Sequence, residues 1–439
     1  MHAPLATADA LHARLQPLAA QPVIGLDTEF LRERTYYAQL CLLQLSDASD
    51  ASSLHGWLFG ASPLYLVLTP FSALADWLTC RGQAQHAALL AWIVLGYAVA
   101  RTVSTGRSGK AVRPLREAGL FGALLAAWLA FLAWTGFGPR PVSRPILPEP
   151  DLLTVDFHSH TSKSWDGRQS FSPEENMRWH RRAGFDAGFI TDHNLVEGAA
   201  EAKALSREEY ARTGYRSLEG VEVSLHDAHI VALSPEKPID RTLYDKNLGG
   251  LHRFLTDACP RYGAVPILSL PEYWKHHWSR LDLMAGWAAP GGRPACAAGV
   301  EIVNSAPKGL DLPPAERKAV VSVARSNGLF LAGATDNHGW ARSACVWNAM
   351  RVPGHAGLGP DALEDAVLSV LRREGHRAVR VVERTRGPRP QGIWLAVDPP
   401  LAAWTLLRTF SLGQALVTLA WIWLLFGATG KFLKTQHQP

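Results

Sequence analysis

Two hydropathy patterns divide the chain. Between about residues 152 and 380, short apolar runs at 152–155, 189–191, 218–223, 230–233 and 329–334 have the length and continuity of buried strands. Many are separated by stretches whose apolar residues recur at helical spacing, at 172–183, 197–210, 243–259, 313–327 and 361–375. Such strand–helix alternation predicts an α/β fold closing into a barrel.

The rest of the chain reads differently. Four stretches lack any Asp, Glu, Lys or Arg, namely residues 51–75, 82–100, 118–139 and 409–430. A hydrocarbon core about 30 Å thick is crossed by about 20 helical residues, so each is long enough to span it. The last two are rich in Leu, Ala and Trp, with aromatics toward their ends. Pro63 and Pro70 interrupt the first, and Asp76 closes it. In the second the apolar heart covers only 87–100, which leaves a core helix or hairpin partner as the other reading. The expectation is about four transmembrane helices.

Charge gives an orientation. Arg101, Arg107, Lys110, Arg113 and Arg116 lie between the second and third stretches, and Lys431 and Lys434 follow the fourth. The positive-inside rule puts these in the cytoplasm. The long segment between the third and fourth stretches then faces outward, which in a Gram-negative cell is the periplasm. The expected location is the inner (cell) membrane, with multiple passes. Residues 139–150, rich in proline, read as a stiff spacer. The 16 Trp are heavy for a soluble protein, and the net charge of +5 is explained by the loop residues. A nucleic-acid partner is not expected. The five cysteines show no Cys-x-x-Cys spacing; Cys259, Cys296 and Cys345 could supply one disulfide in an oxidising compartment, with no pair favoured. No basic-then-apolar run with a small-residue cleavage site opens the chain.

The chemistry gathers at the strand ends. Residues 152–155 run into Asp156-Phe-His158-Ser-His160-Thr161, and histidines at i and i+2 point to the same side of a strand. The run at 189–191 leads into Asp192-His193-Asn194, residues 218–223 carry Glu222, and His229 opens 230–233. The run at 329–334 ends in Thr335-Asp336-Asn337-His338. One acid–histidine pair is weak evidence, but several at successive strand ends describe a metal-binding rim. Mixed imidazole and carboxylate donors suit zinc, manganese or iron better than calcium or magnesium.

These motifs, with Ser164-Trp-Asp166-Gly167, Gly220-Val-Glu222-Val and Gly333-Ala-Thr-Asp336-Asn-His338, resemble those of the PHP (polymerase and histidinol phosphatase) family of metal-dependent phosphoesterases. The resemblance covers residues 152–380, about half the chain. It implies a distorted (β/α)7-type barrel with two or three divalent metal ions (Zn, Mn or Fe). The implied ligands are His158, His160, Asp166, His193, Glu222, His229, Asp336 and His338. One departure stands out: where the family reads Ala-His-Pro, this chain has Leu270-Pro271-Glu272, and leucine cannot coordinate a metal. Glu272, His276 or His277 are the substitutes within reach in sequence.

The implied reaction is hydrolysis of a phosphate ester by a metal-activated water, with Glu222 able to bridge two ions. For Asp192 two readings stand, orienting an imidazole from behind or capping the next helix. Phosphate contact falls to Lys163, Arg168, Lys275 or Arg342, with Arg342 favoured because it lies four residues past His338. The expected partners are a membrane and a phosphorylated small-molecule or lipid-linked substrate. The alternative is a catalytically decayed barrel acting as a metal- or ligand-binding envelope protein.

At the N-terminus, Val23-Ile-Gly-Leu-Asp27-Thr28-Glu29-Phe30 and the following residues to about 47 resemble the first motif of ribonuclease D. That family uses Asp-x-Glu and further downstream acids to hold Mg²⁺. Here the chain turns apolar instead, and about 45 residues cannot bury an exonuclease core. The expectation is a silent fragment, folded at most as a β-hairpin. The organisation expected is thus 1–50 fragment, 51–138 membrane region, 139–151 linker, 152–400 metallophosphoesterase domain, and 401–439 terminal helix with a short tail.

Overall fold

The computed structural model describes residues 24–31, 39–47, 59–60, 62–108, 113–147, 149–225, 228–269, 280–288, 296–306, 312–384, 392–408 and 410–435. Leu270, Glu272, Lys275, His276 and His277 lie outside them. The stretch resembling ribonuclease D forms an antiparallel pair, Ile24–Leu31 against Gln39–Asp47, in which Asp27 faces Gln44. The expected hairpin is therefore present in the backbone.

One sheet organises the α/β region. Its strands are β1 (Leu152–Asp156), β2 (Ala187–Ile190), β3 (Arg216–Leu225), β4 (Ala228–Leu233), β5 (Val265–Leu268), β6 (Gly299–Asn304), β7 (Phe330–Ala334), β8 (Val346–Arg351) and β9 (Arg380–Glu383). The order is β7-β6-β5-β4-β3-β2-β1-β8-β9. β1, β2 and β3 are mutually parallel, as are β5, β6 and β7. β4 runs antiparallel to both its neighbours, and β8 to both of its own. The expected seven-stranded strand–helix barrel is thus replaced by a mixed sheet of nine strands. The reason is local: only two residues separate β3 from β4, too few for the crossover that a parallel pair requires.

The ends of this sheet return toward each other. Beyond β7, the Asp336 N–H donates to the His158 carbonyl at 2.8 Å, and the His160 N–H donates to the Asn337 carbonyl at 3.1 Å. Lower down, Asn348 of β8 donates to the Val155 and Gly333 carbonyls and accepts from the Gly333 N–H. The sheet is nearly closed, and the closing bonds belong to residues of the acid–histidine motifs. Its interior is a continuous apolar cluster including Leu153, Phe157, Phe189, Ile230, Val300 and Phe330.

The helices confirm the periodicity. In chain order they are α1 (Pro63–Val67), α2 (Thr69–Thr79), α3 (Gln83–Ser108), α4 (Pro114–Phe137), α5 (Pro173–Ala183), α6 (Glu197–Thr213), α7 (Leu248–Tyr262), α8 (Arg280–Ala288), α9 (Pro314–Ser326), α10 (Pro360–Glu374), α11 (Trp394–Arg408) and α12 (Leu412–Thr435). α5 begins at the Ser172 cap, whose hydroxyl accepts from the Glu175 N–H, and ends at Gly184 in the left-handed region.

Two helices, α3 over Gln83–Gly106 and α4 over Pro114–Phe137, are long and apolar enough to cross a membrane. Among the described residues, a third candidate exists only if α11 and α12 count as one span, and they meet at a bend of 118°. The expectation of four spans is corrected accordingly. The first of the four, residues 51–75, fails because Pro63 and Pro70 each start a new helix. Its side chains also turn inward: Tyr65 and Ala73, with Trp77 and Leu78 just beyond the stretch, are buried in one cluster with α11 residues Ala402 and Leu406. Asp76 at its end is buried between Arg140, at 2.5 Å, and Arg384, at 2.9 Å. A disulfide joins Cys80, just after α2, to Cys345, just before β8, and a second joins Cys259 to Cys296. Sequence had offered one bridge and left Cys80 out of it.

Candidate metal centre

All eight side chains singled out by the motifs come together at the rim where β1, β2 and β7 end. His158 and His160 follow β1 and are fully buried, with Nε2 atoms 3.1 Å apart. Glu222 projects from β3 into the middle of the imidazoles. Its Oε2 lies 3.1 Å from His158 Nε2, 3.2 Å from His160 Nε2 and 3.1 Å from His193 Nδ1. Its Oε1 lies 3.0 Å from His229 Nδ1. Asp336 Oδ1 sits 3.2 Å from His160 Nε2 and 3.5 Å from His158 Nε2. Asp166 faces both His193, at 3.4 Å, and His338, at 3.1 Å. The His160 and His338 rings stack with centroids 3.9 Å apart.

These spacings suit donors sharing a cation. Two ligand atoms about 2.1 Å from one ion, at tetrahedral or octahedral angles, stand about 3.0–3.4 Å apart. Three overlapping groups meet that requirement: His160, His193 and His338; His158, His160 and Asp336; and His193, Glu222 and His229. His338 Nε2 supplies a further indication. It is buried and has no partner in hydrogen-bonding alignment among the described residues, although the Asp166 carboxylate is close by. A donor aimed past its neighbour at a common point has that geometry. The residues present therefore fit divalent metal binding.

Electrostatics agree. Burial alone would lower the His158 pKa, but Glu222, Asp336 and Glu301 outweigh it and hold the imidazole well above its ordinary range. His338 is pushed up to about 9 against the same burial by Asp336 and Asp166. Burial would raise Glu222, yet His158, His229 and His193 hold it well below the usual carboxylate range. Negative charge concentrated among buried imidazoles is what a cation would neutralise.

Behind these donors stands a layer that fixes them. His158 Nδ1 lies 2.7 Å from Glu301 Oε1, with Glu301 on β6 and 1 % exposed. Asn304 donates to Asp336 Oδ2 at 2.9 Å. The Ser164 hydroxyl bridges Asp166 Oδ1 at 3.1 Å and His160 Nδ1 at 3.4 Å. Asp156 is no donor to the centre: it accepts from Thr335 and the His158 N–H and faces His180 Nε2 at 3.0 Å. Asp336 and Asn194 hold left-handed backbones, at φ 47° and 56°, an arrangement a non-glycine residue keeps only when its surroundings dictate it.

Glu301 and Asn304 escaped the motif reading. The signal available was a lone acid in the apolar run Gly299–Asn304, a strand that the sequence pattern had not marked. Asp192 takes neither of its two expected roles. Its carboxylate accepts from the Thr161 N–H at 2.6 Å and from the Thr161 hydroxyl at 2.7 Å, clamping the segment after His160, while Val196 caps α6. Lys163 is drawn away to Glu201 at 3.0 Å. Arg342 is half-buried beside the His338 loop, and Arg168 lies over the rings of Phe137 and Trp340.

No family model matches the chain. Three curated ribonucleases D are similar over a short stretch. That of Acidiphilium cryptum is 41% identical over 68 residues, that of Jannaschia sp. 46% over 67, and that of Escherichia coli 42% over 69. The chain spans only 16–17% of the length of these relatives. The likeness reaches further than the motif read from sequence. Among solved structures, a putative metal-dependent phosphoesterase of Bifidobacterium adolescentis is similar at 16% identity and a TM-score of 0.32, over 42% of this chain and 88% of that one. PsfC of Pseudomonas syringae is similar at 13% and 0.33, over 59% and 99%. An amidohydrolase of Chromobacterium violaceum is similar at 17% and 0.27, over 42% and 87%.

Proposed function

We propose that the protein is a membrane-anchored, metal-dependent phosphoesterase. The observation that carries this reading is the convergence of five imidazoles and three carboxylates at ligand spacing on one rim. Bound divalent ions would supply Lewis acidity toward phosphoryl oxygens and water acidic enough to ionise near neutral pH.

The chain's own residues do the rest. His158, His160 and Asp336 would hold one ion, His193, Glu222 and His229 another, and Asp166 with His338 would complete the set. Glu301 fixes the tautomer of His158 by accepting from Nδ1, which leaves Nε2 as the free donor. Asp192 holds the backbone after His160 in place. Arg342, four residues past His338 and engaged by no hydrogen bond or ion pair among the described residues, is the group we assign to a phosphate oxygen.

For location, the reading is an inner-membrane protein with α3 and α4 as spans and the barrel in the periplasm. Two disulfides support an oxidising compartment, and the basic loop between the spans supports the orientation. Leu270 favours the second reading, a barrel that binds metal or ligand without turnover. Both are tested by assaying the full chain on soluble aryl phosphomonoesters and phosphodiesters with Mn²⁺ or Zn²⁺. Chelator-sensitive hydrolysis supports the enzyme; tight metal binding without hydrolysis of either class supports the binding protein.

A further inference from the structure

The loops that carry two of the proposed ligands pack against the end of a membrane-length helix. Phe137, the last residue of α4, meets Trp340 edge-on with ring centroids 6.3 Å apart. The Arg168 guanidinium lies 5.0 Å from the centre of the Phe137 ring and 5.7 Å from that of Trp340. Asp166 is two residues before Arg168, and His338 is two residues before Trp340. A helix the length of α4 measures about 36 Å, enough to cross about 30 Å of hydrocarbon. With α4 read as a span, its end would lie near the headgroups, and so would the ligand-bearing loops that pack against it.

The surface chemistry matches. Trp165 is 76% exposed, Trp340 53% and Phe137 51%. Large aromatics left bare together are costly in water and settle at membrane interfaces. Trp165, three residues before Arg168, stacks on His193 at 5.9 Å, so one of these exposed aromatics touches the metal centre itself. Beside it the charge is positive. Burial, followed by the charges of Arg182 and Arg140, depresses the pKa of Arg342, and Arg168 adds to this. Glu175, an acid near Arg342, is itself held by Arg178 at 2.5 Å. Arg140 is paired with Asp76, but Arg342 has no ion pair among the described residues, and an apolar collar with that guanidinium next to it suits a phosphate headgroup on an acyl anchor.

We propose that the substrate is a phosphate ester embedded in the bilayer, whose lipid phosphate enters the metal centre between the loops at 165–168 and 338–342. The proposal rests on the phosphoesterase reading and adds the substrate class.

The test uses the manganese-loaded full chain in lipid nanodiscs. One arm supplies phosphatidic acid in the same disc, the other a water-soluble short-chain phosphatidic acid. Catalytic efficiency for the embedded ester should exceed that for the soluble one by about ten-fold or more, since both reactants share a surface. Replacing Trp165→Ser and Trp340→Ser together should shrink that ratio. Equal efficiencies that the double variant leaves equal would overturn the proposal and leave the phosphoesterase reading standing. Quenching of tryptophan emission by brominated lipid gives a readout free of turnover. The quenched fraction should fall when both positions become Phe; no fall puts the rim in water and overturns the proposal. Hydrolysis of neither phosphatidic acid by protein that still turns over an aryl phosphate ester would overturn the substrate class alone; no turnover of any of these esters would defeat the phosphoesterase reading with it.

Discussion

The Glu301→Gln substitution isolates the layer behind the metal centre. Glu301 is 1% exposed, and its Oε1 lies 2.7 Å from His158 Nδ1. The amide keeps the size and still offers an oxygen acceptor, so the fold and the tautomer of His158 should survive. What disappears is a buried negative charge that makes His158 a stronger donor to a cation. Hydrogen bonds involving a charged partner contribute about 1.5–3 kcal/mol. At about 1.4 kcal/mol per factor of ten in a binding constant, that is roughly 10- to 150-fold. Substitutions behind metal-bound histidines typically cost about 10–100-fold in affinity or activity, which agrees. The assay is competition for Mn²⁺ or Zn²⁺ against a chelator of known affinity, alongside thermal unfolding of the metal-free protein. The expected result is weakened metal binding with native circular dichroism, together with a lower melting temperature of the metal-free protein at neutral pH, where a protonated His158 loses one of the carboxylates that hold its pKa up. Wild-type affinity in the variant would refute the reasoning, because Glu301 would then be a structural acid that His158 does not feel.

Other outcomes follow from the same geometry. His158→Ala or Asp336→Ala should abolish hydrolysis while circular dichroism stays native; unchanged turnover in both would remove the mechanism. Metal uptake at neutral pH should release protons, measurable in buffers of different ionisation enthalpy, because the metal displaces protons from His338 and His158, both held above their ordinary range. With its pKa raised to about 9 in the fold, His338 stabilises the metal-free protein fully below its unfolded pKa near 6.5, a contribution lost as pH rises through about 9. The metal-free protein should therefore melt lower at pH 9.5 than at pH 6, and a flat profile would contradict the assignment. Asn348→Leu should lower stability by about 3 kcal/mol or more, since it strands the Gly333 N–H and the Gly333 and Val155 carbonyls inside the barrel. Chemical denaturation would read this directly.

Much of the site was legible because its donors cluster locally. His158 and His160 sit on one strand end, Asp336 and His338 on another, and the apolar runs before them mark where each strand stops. The helices α5, α6, α9 and α10 began and ended within a few residues of their periodic patterns, punctuated by Ser172, Gly184 and Gly214. Long-range pairing was not legible. Glu301 gains its meaning from His158, 143 residues away in sequence. Residues 51–75 looked like a span because they lack charge, but the groups that bury them come from elsewhere: Arg140 and Arg384 around Asp76, and Cys345 for Cys80. Hydropathy alone does not distinguish a helix facing lipid from one facing protein. The count of strands failed for a related reason: β6, β8 and β9 are short runs whose place is set by neighbours, with Asn348 and its distant partners closing the sheet.

Whether these eight side chains hold metal is read from anomalous scattering by crystals of the manganese-loaded full chain. At least two peaks should appear, one within about 2.0–2.3 Å of donor atoms from His158, His160 and Asp336 and another at that distance from His193, Glu222 and His229. Both peaks should vanish in crystals treated with chelator. A fully loaded crystal with no anomalous peak at this rim would contradict the account.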